Sequence, residues 1–154
     1  MAESTFDKGR KLREEVLGKE HVENSFKSTD EFSRPLQDLT TEVGWGVFWS
    51  RPGLTRKQRS LLNLGILAAL NRHHELAVHV KGAVNNGLTK EEIREALIHV
   101  IPYAGFPAGL DAFRTAWTRW RARRAGERGS WGPSPNFACL SGMHGRRSEP
   151  TGYV

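Results

Sequence analysis

An all-α domain of about six helices is predicted by three features of the chain. Apolar residues recur at helical spacing in successive stretches, three capping boxes mark helix starts, and no stretch alternates apolar with polar residues as a half-buried strand would. Residues 7–17 read as the first helix, with Leu12 and Val16 on its apolar side and Gly18 to end it. Ser28 and Glu31 form a capping box before Phe32, Leu36, Leu39 and Val43. Pro35 inside that run either starts the helix or bends it.

The aromatic group Trp45-Gly46-Val47-Phe48-Trp49 closes this second helix, and Ser50-Arg51-Pro52-Gly53 is a turn. Thr55 and Gln58 open a helix over 56–70 whose leucines and isoleucine cover most of its faces, which predicts a central, buried helix. A His-rich helix follows over 72–85, with Gly87 placed as its C′ residue. Thr89 and Glu92 make the best-formed capping box, with Leu88 positioned to staple onto Ile93. That helix is predicted to end or kink before Pro102. The last helix, over 106–123, carries Leu110, Phe113, Trp117 and Trp120 as an apolar stripe.

The 154 residues suffice for one domain with a real core, over 6–124. Residues 125–154 read as a Gly/Pro/Arg-rich extension, expected to be mostly disordered: nine of the 34 residues in 121–154 are Gly or Pro. Those 34 residues carry six arginines against two glutamates, whereas residues 1–120 hold 17 basic and 15 acidic side chains. The net charge of +6 therefore describes the tail more than the domain, and no nucleic-acid partner is expected. The single cysteine, Cys139, forms neither an internal disulfide nor a CxxC pair, which suggests a reducing compartment. No apolar run approaches the roughly 20 residues of a membrane span. Met1 to Asp7 lack a signal pattern, so a cytoplasmic protein with no membrane partner is expected.

The densest chemistry lies in Arg72-His73-His74-Glu75-Leu76-Ala77-Val78-His79. On a helix, Arg72, Glu75 and His79 fall within roughly 60° of one another. A fixed cation, a carboxylate and an imidazole on one face can bind an acid and move a proton. The plain alternative is a polar helix face with an ordinary i,i+4 contact between Glu75 and His79. No H-E-x-x-H occurs, and Glu75 with His79 supplies only two ligands, so no metal is expected. His99, on the next helix, is either a third site residue or a satisfied structural histidine. Trp45 and Trp49 line a pocket or belong to the core. Arg51, Arg56 and Arg59 flank the turn before the buried helix, where they bind a carboxylate or simply face water.

Taken together, several motifs resemble the carboxymuconolactone decarboxylase family, its γ-carboxymuconolactone decarboxylase branch in particular. They are Arg13-x-x-Val16-Leu17-Gly18-x-x-His21-Val22, Trp45-Gly46-x-x-Trp49-Ser50-Arg51-Pro52-Gly53-Leu54, Arg59-Ser60-Leu61, Glu75-Leu76-x-x-His79, Asn85-Asn86-Gly87-x-Thr89 and Tyr103-Ala104-Gly105-x-Pro107-Ala108. Order and spacing both agree, over about residues 6–120. The resemblance implies an alkylhydroperoxidase-like helical fold, assembly as trimers or hexamers, and a role in protocatechuate degradation through the β-ketoadipate pathway. The peroxidase-type relatives carry a CxxC pair where this chain has Arg72 and Glu75, so thiol peroxidase chemistry is not implied. Val47 stands where decarboxylase relatives often carry Glu. That departure favours, as alternatives, an altered substrate or a non-catalytic oligomeric binding protein.

The substrate so implied is an unsaturated lactone with a ring carboxylate and an acetate arm, decarboxylated to the β-ketoadipate enol-lactone. Loss of CO2 leaves electrons that delocalise through the ring alkene into the lactone carbonyl, so no cofactor is needed. The expected roles are proton delivery by His79 or Glu75, with His79 favoured and Glu75 orienting it. Arg51 or Arg59 is expected to hold a carboxylate beside Arg72, and His73 or His74 to donate to the carbonyl. Trp45 and Trp49 would exclude water, with His21 and His99 in support.

Overall fold

A computed structural model of the chain describes residues 3–124. They form α1 (Thr5–Leu17), α2 (Lys19–Lys27), α3 (Arg34–Leu39), a π-helical segment (Thr40–Trp49), α4 (Arg56–Ala69), α5 (His73–Asn85) and α6 (Lys90–Arg124). The described residues contain no strand, as predicted. The extension from 125 onward and Cys139 lie outside them.

Local chemistry accounts for most boundaries. Ser4 Oγ accepts the Asp7 amide and starts α1. The Thr55–Gln58 and Thr89–Glu92 boxes close reciprocally, each Thr hydroxyl taking the third amide and each Gln or Glu taking the Thr amide. Helices α4 and α5 end in Schellman motifs. The Asn71 and Arg72 amides return to Ala68 and Leu67, and those of Gly87 and Leu88 to Val84 and Ala83. Asn71 (φ 54°) and Gly87 (φ 87°) hold the left-handed positions these motifs require.

The structure departs from the sequence reading at four places. A helix over Lys19–Lys27 was not predicted, and Ser28 ends it instead of capping the next. Pro35, by contrast, takes the first of its two expected roles: it lies in the first turn of α3, where its missing N–H costs nothing. The aromatic group closes no α-helix; it lies in the π segment. The break predicted before Pro102 falls at Gly105, whose φ of 86° and ψ of 160° no helix adopts. Finally, α4 is not buried all round, and the stripe on the last helix faces outward. Leu61, Leu62, Ile66, Leu70, Leu110, Phe113 and Trp117 are exposed, while Leu64, Ala68, Ala112 and Ala116 face the core. The large residues were taken for the core face because periodicity reports an apolar stripe but not what covers it.

Two apolar clusters result. One joins α4, α5 and α6 through Leu64, Leu76, Val80, Leu97 and Ala112. By length and composition Lys90–Ala122 could cross a membrane. It is broken at Gly105, however, and contributes Ile93, Leu97, Val100, Ala112 and Ala116 to this core. The other cluster joins α1, α2 and the π segment through Leu12, Val16, Leu17, Val22 and Trp45. Asn85 Nδ2 donates to the Val16 carbonyl at 2.8 Å, and Asn86 Nδ2 to Ser60 Oγ at 2.9 Å, so the end of α5 ties α1 to α4.

Helix α1 and the π segment meet backbone to backbone. A Cβ on Gly9 would strike the Thr41 carbonyl oxygen, and one on Gly46 the Thr5 carbonyl oxygen. Neither neighbour is a side chain that can swing away. Gly46→Ala is therefore expected to destabilise the fold by at least about 1–3 kcal/mol, the usual range for overpacking. Gly44→Ala, with nothing near its Cβ position, serves as the control. Equal melting temperatures for the two variants would contradict the close crossing.

Candidate active site

The site lies where α1, α2, the π segment, α4 and α5 converge on His79. Bonding from i to i+5 in the π segment widens the turn and brings Trp45 and Trp49 to one side. Their rings stack 4.7 Å apart at 25°. The imidazole of His79 lies nearly parallel to both, 6.3 Å from Trp45 and 6.1 Å from Trp49. Trp45 is buried and Trp49 half-buried. The imidazole is thus walled by aromatic surface.

Asn63 of α4 places its amide nitrogen 3.4 Å from His79 Nδ1. An amide N–H donating there makes Nδ1 the acceptor and leaves the ring proton on Nε2. Burial lowers the His79 pKa to about 4; the charge of His21 adds to that, and the Glu75 carboxylate opposes it. His79 is therefore neutral in the empty protein at pH 7.

Positive charge gathers around His21, which in turn acts on this imidazole. His21, half-buried on α2, is lowered by burial and then by Arg13, Lys81 and His74. Arg13 is only 7 % exposed on α1, and its Nη1 donates to Thr41 Oγ1 at 3.0 Å. Lys81, one turn along from Ala77 on α5, brings its ammonium beside Gly18, 3.2 Å from where a Cβ would sit. No group of three or more His, Cys, Asp and Glu side chains suited to a metal occurs among the described residues.

The predicted residues divide into those the fold brings together and those it does not. His79, Trp45, Trp49 and His21 share the site, and Glu75 flanks it from an exposed position. Arg72 is not on the helix face predicted for it. It is the residue before α5, exposed, with non-helical dihedrals. His74 is exposed yet acts on His21, and His73 is half-buried with Nδ1 unpartnered. Arg51 is exposed on the turn, and its carbonyl accepts Arg59 Nη2 at 2.7 Å. Arg59 thereby fastens the turn from a position one helical turn before Asn63. His99 does not join the cage. It stands exposed on α6, 5.3 Å from the Tyr103 ring, along a groove between α4 and α6.

Arg13, Asn63 and Lys81 were not predicted. Asn63 carried a signal, being the one polar side chain between Leu61 and Leu70. Arg13 carried one too, since it adjoins the apolar Leu12–Val16 side of α1.

A half-buried imidazole against an aromatic wall, with His21 beside it, has the chemistry to bind a small acid and move a proton. The family model described as the carboxymuconolactone decarboxylase family matches residues 34–117. Nitrosuccinic acid decarboxylase npaB of Metarhizium robertsii is 50% identical over 107 residues, 70% of this chain and 75% of that protein. The 4-carboxymuconolactone decarboxylase of Acinetobacter baylyi is 40% identical over 114 residues, 74% of this chain and 85% of that protein. The chain belongs to the carboxymuconolactone decarboxylase family, and both of these relatives are decarboxylases.

The depressed pKa of His79 has a stability consequence. The unfolded residue titrates near 6.5 and the folded one near 4, so between those values the unfolded chain binds more protons. The stability this group contributes is full above about pH 6.5 and is lost as pH falls through 4, by as much as about 3 kcal/mol. His21 adds in the same direction. Thermal melts from pH 7 to 4.5 are expected to fall less steeply in His79→Gln than in the unaltered protein; parallel slopes would contradict the burial of this imidazole.

Proposed function

We propose that the protein is a cofactor-free decarboxylase of a small, activated diacid. The observation that carries this reading is the neutral imidazole of His79, walled by two indoles and adjoined by His21, on which Arg13 and Lys81 act in turn. A largely desolvated site with cations at hand favours a product-like anion whose charge has moved from a carboxylate into an acceptor group.

Such a substrate supplies its own electron sink. The bond from carbon to the departing carboxylate breaks, CO2 leaves, and the electron pair enters the acceptor. In 4-carboxymuconolactone that acceptor is the lactone carbonyl, reached through the ring alkene. In nitrosuccinate it is the nitro group, which becomes a nitronate. A proton then adds to carbon. The His79 N–H donates to the acceptor oxygen while charge builds there. Glu75, exposed and four residues earlier on α5, favours the imidazolium and links His79 to solvent protons. A bound dianion raises the His79 pKa from its low resting value, so the pair takes up the proton it delivers.

Both substrates fit this scheme. The lactone agrees with the motif resemblance as a whole. The nitro acid is favoured by the greater identity to the nitrosuccinic acid decarboxylase and by Val47. Val47 is exposed in the π segment between the two tryptophans, where it offers no carboxylate. The exposed apolar surface of Leu61, Leu62, Ile66, Leu110, Phe113 and Trp117 supports self-assembly, since so much apolar surface favours burial against other copies; the trimer or hexamer comes from the family resemblance alone.

The test incubates purified protein with each substrate, with and without a chelator, and follows CO2. Turnover of one substrate is expected, undiminished by chelation, and light scattering of the same sample should give more than one chain's mass. His79→Gln is expected to lower turnover by about 10²–10⁴-fold. A loss under threefold would remove His79 from the chemistry. Absence of CO2 from both substrates with folded protein would leave the binding-protein alternative.

A further inference from the structure

We infer that Arg13 holds the carboxylate that is not lost, so that the site selects dianions, with His79 at the reacting end. The inference rests on the decarboxylase reading above and names the group that fixes the substrate's far end.

Arg13 is more than nine-tenths buried, yet no carboxylate pairs with it among the described residues. A buried guanidinium without a counter-charge is costly, and an apolar residue of similar volume would be the stabler choice. Its hydrogen bonding is also incomplete. Nη1 meets Thr41 Oγ1, whose own hydroxyl donates to the Gln37 carbonyl at 2.9 Å. Arg13 Nε is buried without a partner, and so is Gln37 Nε2. Two buried N–H donors, from residues linked through the same threonine, thus have nothing to donate to. Guanidinium and amide donors lacking an acceptor match a carboxylate, which has lone pairs and no proton to offer.

The role as a simple tie between α1 and the π segment explains the Thr41 bond but not the rest. A neutral donor would make that bond without burying a charge. Phe26, with its ring 6.0 Å from the Arg13 carbon, supplies a face against which the guanidinium packs.

His21 is the group that links Arg13 to His79 electrostatically. The charged form of His79 is disfavoured by His21, and that of His21 by Arg13 and Lys81. Both substrates considered above are diacids that lose only one carboxylate. With the retained carboxylate on Arg13, the other end of a short diacid is left for His79 and the tryptophan cage.

The test uses unreactive probes on the full chain: succinate as the diacid and propanoate as the matching monoacid. Binding is read by calorimetry and by the fluorescence of the tryptophan stack. The unaltered protein is expected to bind succinate about 10- to 100-fold more tightly than propanoate, the usual worth of a charge-assisted contact. Arg13→Gln should weaken succinate binding by about 10- to 100-fold, and Arg13→Lys should restore part of it. Equal binding of the two probes by the unaltered protein, or undiminished succinate binding in Arg13→Gln, would overturn the inference. If Arg13→Gln does not fold, Gln37→Leu removes the second donor and should weaken succinate; undiminished binding there would overturn the inference as well. A succinate preference that depends on Arg13, in a protein that releases CO2 from neither diacid, would sustain the anchor and refute the reaction.

Discussion

The backbone contact between α1 and the π segment is the constraint on which the site depends. Gly9 and Gly46 let the two chains touch where any side chain would force them apart. That approach brings Arg13 within bonding distance of Thr41, and it turns Trp45 into the apolar cluster of Leu12, Val16 and Val22. The π segment then presents Trp45 and Trp49 together against α5. Separation of these elements by even the width of a methyl group would open the aromatic wall to water. The charge state of His79 would change with it, because burial is the largest cause of its lowered pKa.

From that wall the electrostatics follow. An imidazole out of water and near other cations stays neutral, and a neutral imidazole has one N–H to offer an anion instead of a charge that water would compete for. Nearby, the buried guanidinium of Arg13 keeps its charge without an acidic partner. In the proposed reaction the two groups would do different work: one would answer charge that moves during the reaction, the other charge that is present throughout. This division suits a molecule bearing two carboxylates of which one departs.

Much of the framework was legible in the sequence because it rests on local chemistry. The Thr55–Gln58 and Thr89–Glu92 boxes, the Gly87 terminus and the His-rich helix depend on residues within a few positions of each other. His79 and Glu75 were legible for the same reason, although Arg72 fell outside the helix; the aromatic group pointed to Trp45 and Trp49, and the motif resemblance brought in His21. What escaped was set by contacts distant in sequence. No local signal separates a π segment from an α-helix over Thr40–Trp49, since the difference lies in bonding register. The outward stripe of Phe113 and Trp117 looked like core because size and spacing do not say which face is covered, and alanines filled the crowded side. Arg13 was named only within the motif resemblance, because its burial depends on the approach of α1 to the π segment. His99 lay on a plausible helix, but α4 separates its groove from the cage.

The central claim is that the tryptophan wall holds His79 neutral until an anion arrives. An NMR titration of the His79 ring, assigned by comparison with His79→Gln, measures this directly. The account predicts a midpoint of about 4 in the empty protein and a clear rise when succinate is bound. A midpoint near 6.5 in the empty protein, unmoved by the diacid, would contradict it.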